Sequence, residues 1–391
     1  MFVRKSVFHF IALCLVFVML CSSGAEAADS VFMIGGTQPL SGANAEAGTQ
    51  ALNSVKLRIK QINANGGLNG QMLDITAFDD EADPANALAS TTRLASDRNI
   101  NALVGSIISG AVLASLGTIE QYKIPTYSGG LSGSLTKSGN PYFWRSLINQ
   151  DFIAEDVVKC IIEMGFKSIS FFATQDEASI AAAENVRKAV EAAGLKVLTW
   201  EEGNATDTSY AAQCDRIVAS KPDCVYMSNV TPMQPVFIKE LRSNGYTGLV
   251  FSRESYARNA IEIAGLEASY GVVFTWPTLT YEHIDDCEDP FVKEFLAAYV
   301  AEYGELPTND CSYRGYNCML ILEEACRIAG KNEREAINEA TGKIKGLQIL
   351  GGVCDFTYGD HEPLRTGTRY VVLKGGKYQK LEDWVAAGSK F

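Results

Sequence analysis

The sequence predicts an α/β protein of two doubly wound lobes. Short apolar strand patterns alternate with helical patterns along most of the 391 residues, which is typical of parallel sheets covered by helices. The alternation runs from residue 31 to 146 and starts afresh at residue 151, so it forms two series of similar size. Because a chain of this length seldom folds around one core and no Pro/Gly/Ser-rich linker separates the series, we expect several short crossings and a hinge between the lobes.

The first series begins with an apolar strand and an amphipathic helix. The helix is predicted from apolar residues spaced by three and four, namely Leu52, Val55, Ile59 and Ile62. Asn69-Gly70 predicts a tight turn. Asp83-Pro84 predicts the start of the next helix, because aspartate caps helix N-termini and proline favours the first helical position. That helix is expected to bury Leu88, Thr91 and Leu94. The predicted strands of this series are 31–37, 73–78 and 102–105.

The second series repeats the pattern, and Asp151 is expected to cap its first helix. Its predicted strands are 168–173, 195–201, 224–228 and 249–251, and its further helices are 181–193, 210–219 and 235–244. After Pro277 the sequence predicts three helices, 290–303, 311–330 and 333–341. Short strands end the chain, and Gly375-Gly376 predicts a hairpin turn between the last two.

The N-terminus predicts export. Arg4 and Lys5 precede an apolar run, 7–20, and small residues at Ala25 and Ala27 follow it. This order predicts a signal peptide of residues 1–27 and a protein of the periplasm. Cys21 offers a lipoprotein alternative, which the large residue before it disfavours. No later run of apolar residues is long enough to cross a bilayer.

Charge and cysteine content exclude several kinds of partner. The net charge of −12 argues against nucleic acid and anionic membranes. Eight cysteines follow the predicted signal peptide, and an even number in an oxidising compartment is compatible with disulfides. The favoured pair is Cys214–Cys224, whereas buried free thiols are the alternative for all eight. No CxxC motif occurs and only His283 and His361 remain, so neither a zinc site nor a cofactor is expected.

The sequence lacks the common catalytic signatures, so an enzyme is not expected. It contains no GxSxG, HExxH or GxGxxG motif. Gly105 and Gly110 have P-loop spacing, but Ala111 stands where the phosphate-binding lysine would be. The acidic run 79–81 suggests either a calcium rim or a solvated strand end, and we favour the solvated end.

Two Gly/Ser segments, Leu103–Ala111 and Pro125–Gly133, carry the strongest hint of a binding site. In each, a short apolar strand runs into glycines and serines. Ser109 is expected at the N-cap of the following helix. Unpaired N–H groups at a helix start, with hydroxyls beside them, form an anion site. An ordinary capped helix explains this segment equally simply.

Several motifs in a fixed order carry a resemblance. They are Gln38–Gly42, Ile62–Gly67, Asp79-Asp80 followed by Asp83-Pro84 and Ala87, the two Gly/Ser segments, and Pro222–Tyr226. With these motifs the mature chain resembles the Leu/Ile/Val-binding protein family, the type I periplasmic solute-binding proteins of ABC transporters. The resemblance implies two Rossmann-like lobes joined by three crossovers and closing on a ligand. It implies a first lobe of residues 28–148 plus 277–356, and a second of 149–276 plus 357–391.

The same resemblance implies a site for a zwitterion. Ser109 would bind the α-carboxylate of the ligand, while Gly130 would supply a backbone contact and Ser132 a hydroxyl. Glu254 would hold the α-ammonium. These roles agree with the chemistry of a helix N-terminus and of an opposed carboxylate. The alternatives are a helix cap, a hydroxyl that solvates a loop, and a surface ion pair with Arg253.

The chain departs from branched-chain binders at three positions where that family places aromatic residues, which here are Ala47, Ala178 and Val230. Their absence suggests a larger ligand or polar contacts. The candidates for polar contacts are Glu46, Gln175, Asp176 and Tyr256.

From the resemblance we expect a monomer that captures a small amino acid or related carboxylate and delivers it to an ABC transporter permease. The alternatives are a sensing module for a membrane receptor, or a binder of an aromatic acid, amide or urea without an ammonium group.

Overall fold

The computed structural model describes residues 31–204, 206–229 and 233–388. The predicted signal peptide, Cys21 and Val230 lie outside the described residues. No helix in the described ranges is long and apolar enough to cross a membrane. The structure is an α/β fold with two main sheets, each at the centre of one lobe, as predicted.

The sheet of lobe 1 is entirely parallel, with strand order β2-β1-β3-β4-β5. Its strands are β1 (Phe32–Gln38), β2 (Leu73–Asp79), β3 (Ile100–Val104), β4 (Thr126–Ser128) and β5 (Phe143–Arg145). The helices between them are α1 (Ala45–Ala64), α2 (Pro84–Ser96), α3 (Ser109–Gln121) and α4 (Ser134–Lys137). The direction of winding reverses between β1 and β3. Ligands of open α/β sheets bind beyond the carboxyl ends of the strands at such a reversal, and here β3 leads into Ser109.

Lobe 2 contains a seven-stranded mixed sheet of order β14-β13-β10-β9-β8-β6-β7. Its parallel strands are β6 (Ser168–Thr174), β7 (Lys196–Gly203), β8 (Cys224–Ser228), β9 (Leu249–Ser252) and β10 (Val272–Trp276). The antiparallel hairpin of β13 (Thr368–Val372) and β14 (Tyr378–Lys380) extends it. The helices are α5 (Gln150–Glu163), α6 (Glu177–Ala192), α7 (Ala211–Ser220), α8 (Met233–Ser243), α9 (Arg258–Ala264), α10 (Leu266–Ser269) and α14 (Leu381–Ala386).

The segment between β10 and β13 returns to lobe 1. It forms α11 (Pro290–Tyr303), α12 (Cys311–Ala329), α13 (Arg334–Thr341) and the hairpin of β11 (Lys345–Ile349) and β12 (Gly352–Asp355). Helix α12 packs closely on α1, since a Cβ added at Gly315 would lie 2.2 Å from the Ala51 carbonyl oxygen. Arg58 of α1 pairs with Glu323 of α12 at 2.6 Å. The chain therefore passes between the lobes three times, after β5, after β10 and before β13.

Most of the predicted elements are present, but the sequence did not predict α9, β10 or β11. The other differences concern caps and burial. Asp83 caps α2 as predicted, accepting hydrogen bonds from the N–H groups of Ala85 and Asn86. Leu88, which the sequence predicts to be buried, is 39% exposed, so the buried face of α2 is narrower than predicted. Asn149 rather than Asp151 caps α5.

The cysteines correct a further expectation. All eight cysteines among the described residues are free and buried. The predicted Cys214–Cys224 bridge is wrong, because the Cys214 sulfur lies against the Phe237 carbonyl oxygen and the Cys224 sulfur against that of Ser168. These cysteines therefore act as small apolar residues in two separate parts of the core.

The acidic run 79–81 lies at the end of β2 and caps its own loop. The predicted solvated strand end is wrong for Asp80, which is completely buried. Asp79 accepts hydrogen bonds from the N–H groups of Leu40 and Glu81, and Asp80 accepts one from Ala82. Among the described residues no group of histidine, cysteine, aspartate and glutamate could hold a metal ion.

Candidate ligand-binding cleft between the lobes

The two Gly/Ser segments of lobe 1 lie against each other. Parallel pairing of β3 with β4 brings their carboxyl ends together. The Ser109 hydroxyl oxygen then accepts a hydrogen bond from the N–H of Ser132 at 3.1 Å. Ser128 donates to the Ser106 carbonyl oxygen at 2.7 Å and accepts from the Gly130 N–H at 3.0 Å. The segments thus form one cradle, with Ser109 on one side and Ser132 on the other.

The N-terminus of α3 is open. Ser109 is its first helical residue and not its N-cap, which is Ile108, and no side chain caps this end within the described residues. The first N–H groups of a helix have no partner inside the helix. Ser109 is half-buried and Gly110 is exposed. An uncapped, accessible helix N-terminus favours an anion there.

Both backbone polar groups of Gly130 are hydrogen-bonded. Its N–H is taken by Ser128, and its carbonyl oxygen accepts a hydrogen bond from the Arg145 guanidinium. The predicted backbone contact can therefore come only from the second lone pair of that carbonyl oxygen. A Cβ at this position would lie 2.7 Å from a Leu135 methyl and 3.3 Å from the Ser109 hydroxyl, so only glycine fits without displacing them.

A buried ion pair fixes this cradle from below. Arg145 is completely buried and pairs with Glu362 at 2.9 Å, and it donates to the Ser132 carbonyl oxygen at 2.7 Å. Asn149 donates to the same glutamate at 2.9 Å. Burial lowers the pKa of Arg145, and the charge of Glu362 opposes that effect. Sequence reasoning missed this pair, although an arginine inside the apolar strand β5 is a signal of a buried partner.

Glu254 lies on the opposite side of the cleft, just after β9 of lobe 2. Its carboxylate lies 3.3 Å from the Arg253 guanidinium, and 30% of its side chain is exposed. Burial raises the pKa of Glu254, while the charges of Arg253 and of Arg314 from lobe 1 act to lower it. Residues 308–310 of lobe 1 line the same cavity as Glu254, so Glu254 faces lobe 1.

Arg314 and Asp310 connect the two halves, and sequence reasoning missed both. Arg314 binds the Asp310 carboxylate through Nε at 3.0 Å and Nη2 at 2.8 Å. Its Nη1 donates to the Gly129 carbonyl oxygen at 3.3 Å, which ties α12 to the second Gly/Ser segment. Burial would lower the pKa of Arg314, but Asp310 outweighs it and the pKa is raised. Trp276 of lobe 2 donates to Asp310 at 3.1 Å, so this pair also bridges the lobes.

The remaining residues that we expect to make polar contacts with the ligand lie in different parts of the molecule. Asp176 caps α6 through Ser179 at 2.8 Å. Burial alone would raise its pKa, but hydrogen bonds from Thr174 and Ser179 and the charge of Arg253 lower it. Asp176 therefore lies near Arg253, the partner of Glu254.

Tyr256 lines a cavity beside Glu254, although its side chain is completely buried. Its hydroxyl lies 3.3 Å from the Ser269 hydroxyl inside lobe 2. A polar contact between Tyr256 and a ligand therefore stays a prediction. Gln175 is exposed and donates to Glu202, away from Glu254.

The first helix contributes indirectly. Glu46 accepts a hydrogen bond from the Thr308 hydroxyl, and Gln50 accepts from the Thr308 N–H at 3.1 Å. Both residues thus hold the loop that precedes α12. Ala47, where the branched-chain binders place an aromatic, is partly buried against the cluster of Ala51, Ile107 and Cys311.

A cavity of about 250 Å³ opens beside Glu254. Its walls come from the end of β9, from the crossover after β10 and from residues 308–310. It therefore lies between the lobes and next to the predicted ammonium site.

Comparison with known proteins identifies the family. The family model for periplasmic binding proteins matches residues 32–377. The chain belongs to the periplasmic binding protein family. The leucine-, isoleucine-, valine-, threonine- and alanine-binding protein of Pseudomonas aeruginosa is 23% identical to it over 362 residues, covering 90% of this chain and 94% of that protein. Leu/Ile/Val-binding protein homolog 7 of Brucella abortus is 24% identical over 374 residues, covering 90% and 89%.

Solved structures share the fold of this periplasmic binding protein. The branched-chain amino acid transporter substrate-binding protein of Streptococcus pneumoniae in complex with isoleucine has a TM-score of 0.72 at 21% identity, covering 89% of this chain and 98% of that one. A leucine-binding protein from Thermotoga maritima has a TM-score of 0.70 at 20% identity, covering 90% and 100%. The predicted family and the predicted two-lobed fold are confirmed.

Proposed function

We propose that this periplasmic binding protein captures a small amino acid between its lobes and delivers it to the permease of an ABC transporter. The observation that carries the proposal is a cavity between the lobes with Glu254 on its wall. The open N-terminus of α3 with its serines lies in lobe 1, and Glu254, whose charge acts on Arg314 of lobe 1, lies in lobe 2. A zwitterion suits such a pair, because each end meets the charge that stabilises it.

On this proposal the ligand carboxylate binds at the start of α3. The hydroxyls of Ser109 and Ser132 each accept a backbone hydrogen bond and keep their own O–H free to donate. The unpaired N–H groups of the first turn add the positive end of the helix dipole. The cradle is held rigid by Arg145, so these donors are in place before the ligand arrives.

The ligand ammonium pairs with Glu254, and the second lone pair of the Gly130 carbonyl oxygen supplies another acceptor. The charges of Arg253 and Arg314 offset part of the rise in the pKa of Glu254 that burial causes. They also compete with the ammonium for its charge. Because the ammonium meets lobe 2 while the carboxylate meets lobe 1, binding of one ligand favours approach of the lobes.

We also propose that the lobes divide as the resemblance implies, into 28–148 plus 277–356 and 149–276 plus 357–391. The three chain crossings after β5, after β10 and before β13 support this division. We further propose that the chain is exported to the periplasm, is cleaved after Ala27 and acts as a binding protein, not as an enzyme. The binding and transport functions named for its relatives support this.

A ligand screen tests the proposal. The exported chain is purified, co-purifying small molecules are identified by mass spectrometry, and thermal unfolding is measured with amino acids and organic acids. A ligand at one hundred times its dissociation constant should stabilise the protein by about 2.7 kcal/mol. If no amino acid or organic acid raises the unfolding temperature and none co-purifies, the proposal fails.

A further inference from the structure

The cavity beside Glu254 has a polar lining that the proposed zwitterion clamp does not use. Besides Glu254, its walls carry the hydroxyl, amide and carboxyl side chains of Ser255, Thr278, Thr280, Thr308, Asn309 and Asp310. More than half of its lining residues are polar. Pockets for aliphatic groups are lined mainly by hydrophobic and aromatic side chains with few polar atoms. The other lining residues are aromatic or aliphatic: Tyr256, Ala257, Phe274, Trp276, Leu279 and Tyr378. The cavity therefore offers hydrogen-bonding partners beside apolar surface, and a branched aliphatic side chain would leave those partners unused.

One of these groups is buried without a partner. Thr278 is 5% exposed, and its hydroxyl oxygen has no hydrogen-bond partner among the residues that the structure describes. Buried polar groups are nearly always hydrogen-bonded, and an unpaired one raises the free energy of the protein. A ligand that offers a hydrogen-bonding group at this point removes that penalty, whereas an aliphatic ligand leaves it in place.

The carboxylates around the cavity already have partners, or are assigned one in the ligand. Both oxygens of Asp310 accept from Arg314, and one also accepts from Trp276. Glu254 is assigned to the α-ammonium. A charged ligand side chain would find no free counter-charge on the described walls, so a neutral polar group fits best.

The cavity wall from lobe 1 is built to stay in place. Gln50 accepts from the N–H groups of both Thr308 and Asn309, and the Asn309 side-chain oxygen accepts from the N–H of Cys311, the first residue of α12, at 3.1 Å. Asn309 thereby uses its oxygen and presents its amide N–H₂ as a donor. Donor and acceptor groups thus converge on the space next to Glu254 from both lobes.

We propose that this cavity is the side-chain subsite and that it selects amino acids with a short hydroxyl or carboxamide side chain over branched aliphatic ones. The inference rests on the proposed capture of an amino acid and names the class of ligand. Thr278 is its specificity-determining residue.

Pairs of nearly isosteric ligands test the selection. Calorimetric titration of the ligand-free mature chain compares threonine with valine and asparagine with leucine. A site that hydrogen-bonds its ligand discriminates strongly against an analogue lacking the polar group, so we expect the polar member to bind at least about tenfold more tightly in one pair or both. Equal or tighter binding of valine and leucine overturns the inference and leaves the proposed function intact. Absence of any amino-acid binding instead overturns the proposed function.

Substitution of Thr278 tests the residue. Thr278→Val should reduce the preference for the polar ligand about tenfold, the worth of one neutral hydrogen bond, while Thr278→Ser should retain it. Thr199→Val is the matched control, because the Thr199 hydroxyl is also buried without a partner in the described structure but lies in β7, away from the cavity. A preference that survives Thr278→Val, or that Thr199→Val abolishes equally, overturns the assignment.

Discussion

At the scale of single residues, the cleft depends on charges that are paired across long sequence distances. Arg145 meets Glu362, and Arg314 meets the Gly129 carbonyl oxygen 185 residues away. Each pairing fixes a segment that is expected to contact the ligand. The chemistry of the ligand is therefore set by few groups, and each can be tested alone.

Replacement of Glu254 by glutamine removes the charge that we assign to the ligand ammonium. Affinity for an amino acid should fall by about 1.5–3 kcal/mol, the worth of a hydrogen bond to a charged group. Glu262→Gln is the control, since Glu262 is exposed on the same lobe. Calorimetric titration measures the change. Unchanged affinity in Glu254→Gln would mean that the ligand has no ammonium at this point.

The same residue predicts a pH dependence of binding. Burial raises the pKa of Glu254, and Arg253 and Arg314 offset part of this effect. The carboxyl therefore takes up its proton at a higher pH than an exposed glutamate does. Because only the ionised form attracts an ammonium, affinity should decline as the pH falls through this raised pKa. Glu254→Gln should lose that decline, and a decline that persists in the variant contradicts the assignment.

Breaking the buried pair of Arg145 and Glu362 should destabilise the protein. Glu362→Ala leaves the guanidinium buried and uncompensated, and we expect the free energy of unfolding to fall by about 3–5 kcal/mol. Chemical denaturation gives the value. The exposed Glu305→Ala should change stability by less than about 0.5 kcal/mol. A loss of similar size in both variants contradicts the role of the pair.

Sequence reasoning found only part of this residue set. Ser109 was predicted from the local pattern of a strand that runs into a helix start, whereas Ser132 and Glu254 were predicted from the family resemblance, and the ligand contacts of all three stay predictions. Arg314 and Asp310 were not predictable, because they lie on a helix far along the chain and reach the cleft only through packing of α12 on α1. The direction of the Tyr256 hydroxyl, which bonds inside lobe 2, was not predictable either, because a local pattern does not show to which side a loop residue turns.

At the scale of elements, the second Gly/Ser segment packs so closely on helix α12 that a change in the position of one would displace the other. Gly129 lies so close to α12 that an added Cβ would meet the Arg314 Cβ at 2.4 Å. Neighbouring glycines of the same lobe face open space instead, as Gly117 does within α3. This contrast separates a glycine needed for a close approach from one that merely interrupts a helix.

Gly129→Ala should therefore displace Arg314 or the segment itself. Overpacking of this kind costs about 1–3 kcal/mol of stability, and amino-acid affinity should fall with it. Gly117→Ala should instead stabilise the protein by about 0.5–1 kcal/mol, because alanine favours the interior of a helix. Chemical denaturation and titration of both variants give the comparison. Equal behaviour of the two alanines would contradict the close approach.

Elements with a strong local signal were predicted well, whereas one buried strand, β10, was not predicted. Asp83 with Pro84 located the start of α2, and Gly375-Gly376 located the final hairpin, since each depends on a local preference. Strand β10 (Val272–Trp276) is wholly buried and carries no alternation, so its pattern does not distinguish a strand from a short apolar stretch.

At the scale of the whole molecule, the repeated alternation of strands and helices predicted the two lobes. The number of cysteines, in contrast, did not predict whether they form disulfides. An even count in an exported chain permits disulfides without requiring them. The structure instead distributes the thiols through the cores, where burial raises their pKa, to about 12 for Cys214 and Cys160. Such thiols are poor nucleophiles.

Reductant should accordingly leave the unfolding temperature unchanged. Alkylation of the unfolded mature chain without prior reduction should label eight thiols, and alkylation of the native protein should be slow at all of them. Mass spectrometry counts the labels. Fewer than eight in the unfolded, unreduced protein would reveal a disulfide and contradict this account.

The central claim is that one zwitterion bridges the two lobes, and a crystal structure with the bound ligand tests it most directly. The account predicts a ligand carboxylate at the N-terminus of α3, within hydrogen-bond distance of the Ser109 and Ser132 hydroxyls. It predicts the ligand ammonium on Glu254 and the ligand side chain in the cavity lined by Thr278. A ligand bound outside the cleft, or bound with its carboxylate towards lobe 2, would contradict it.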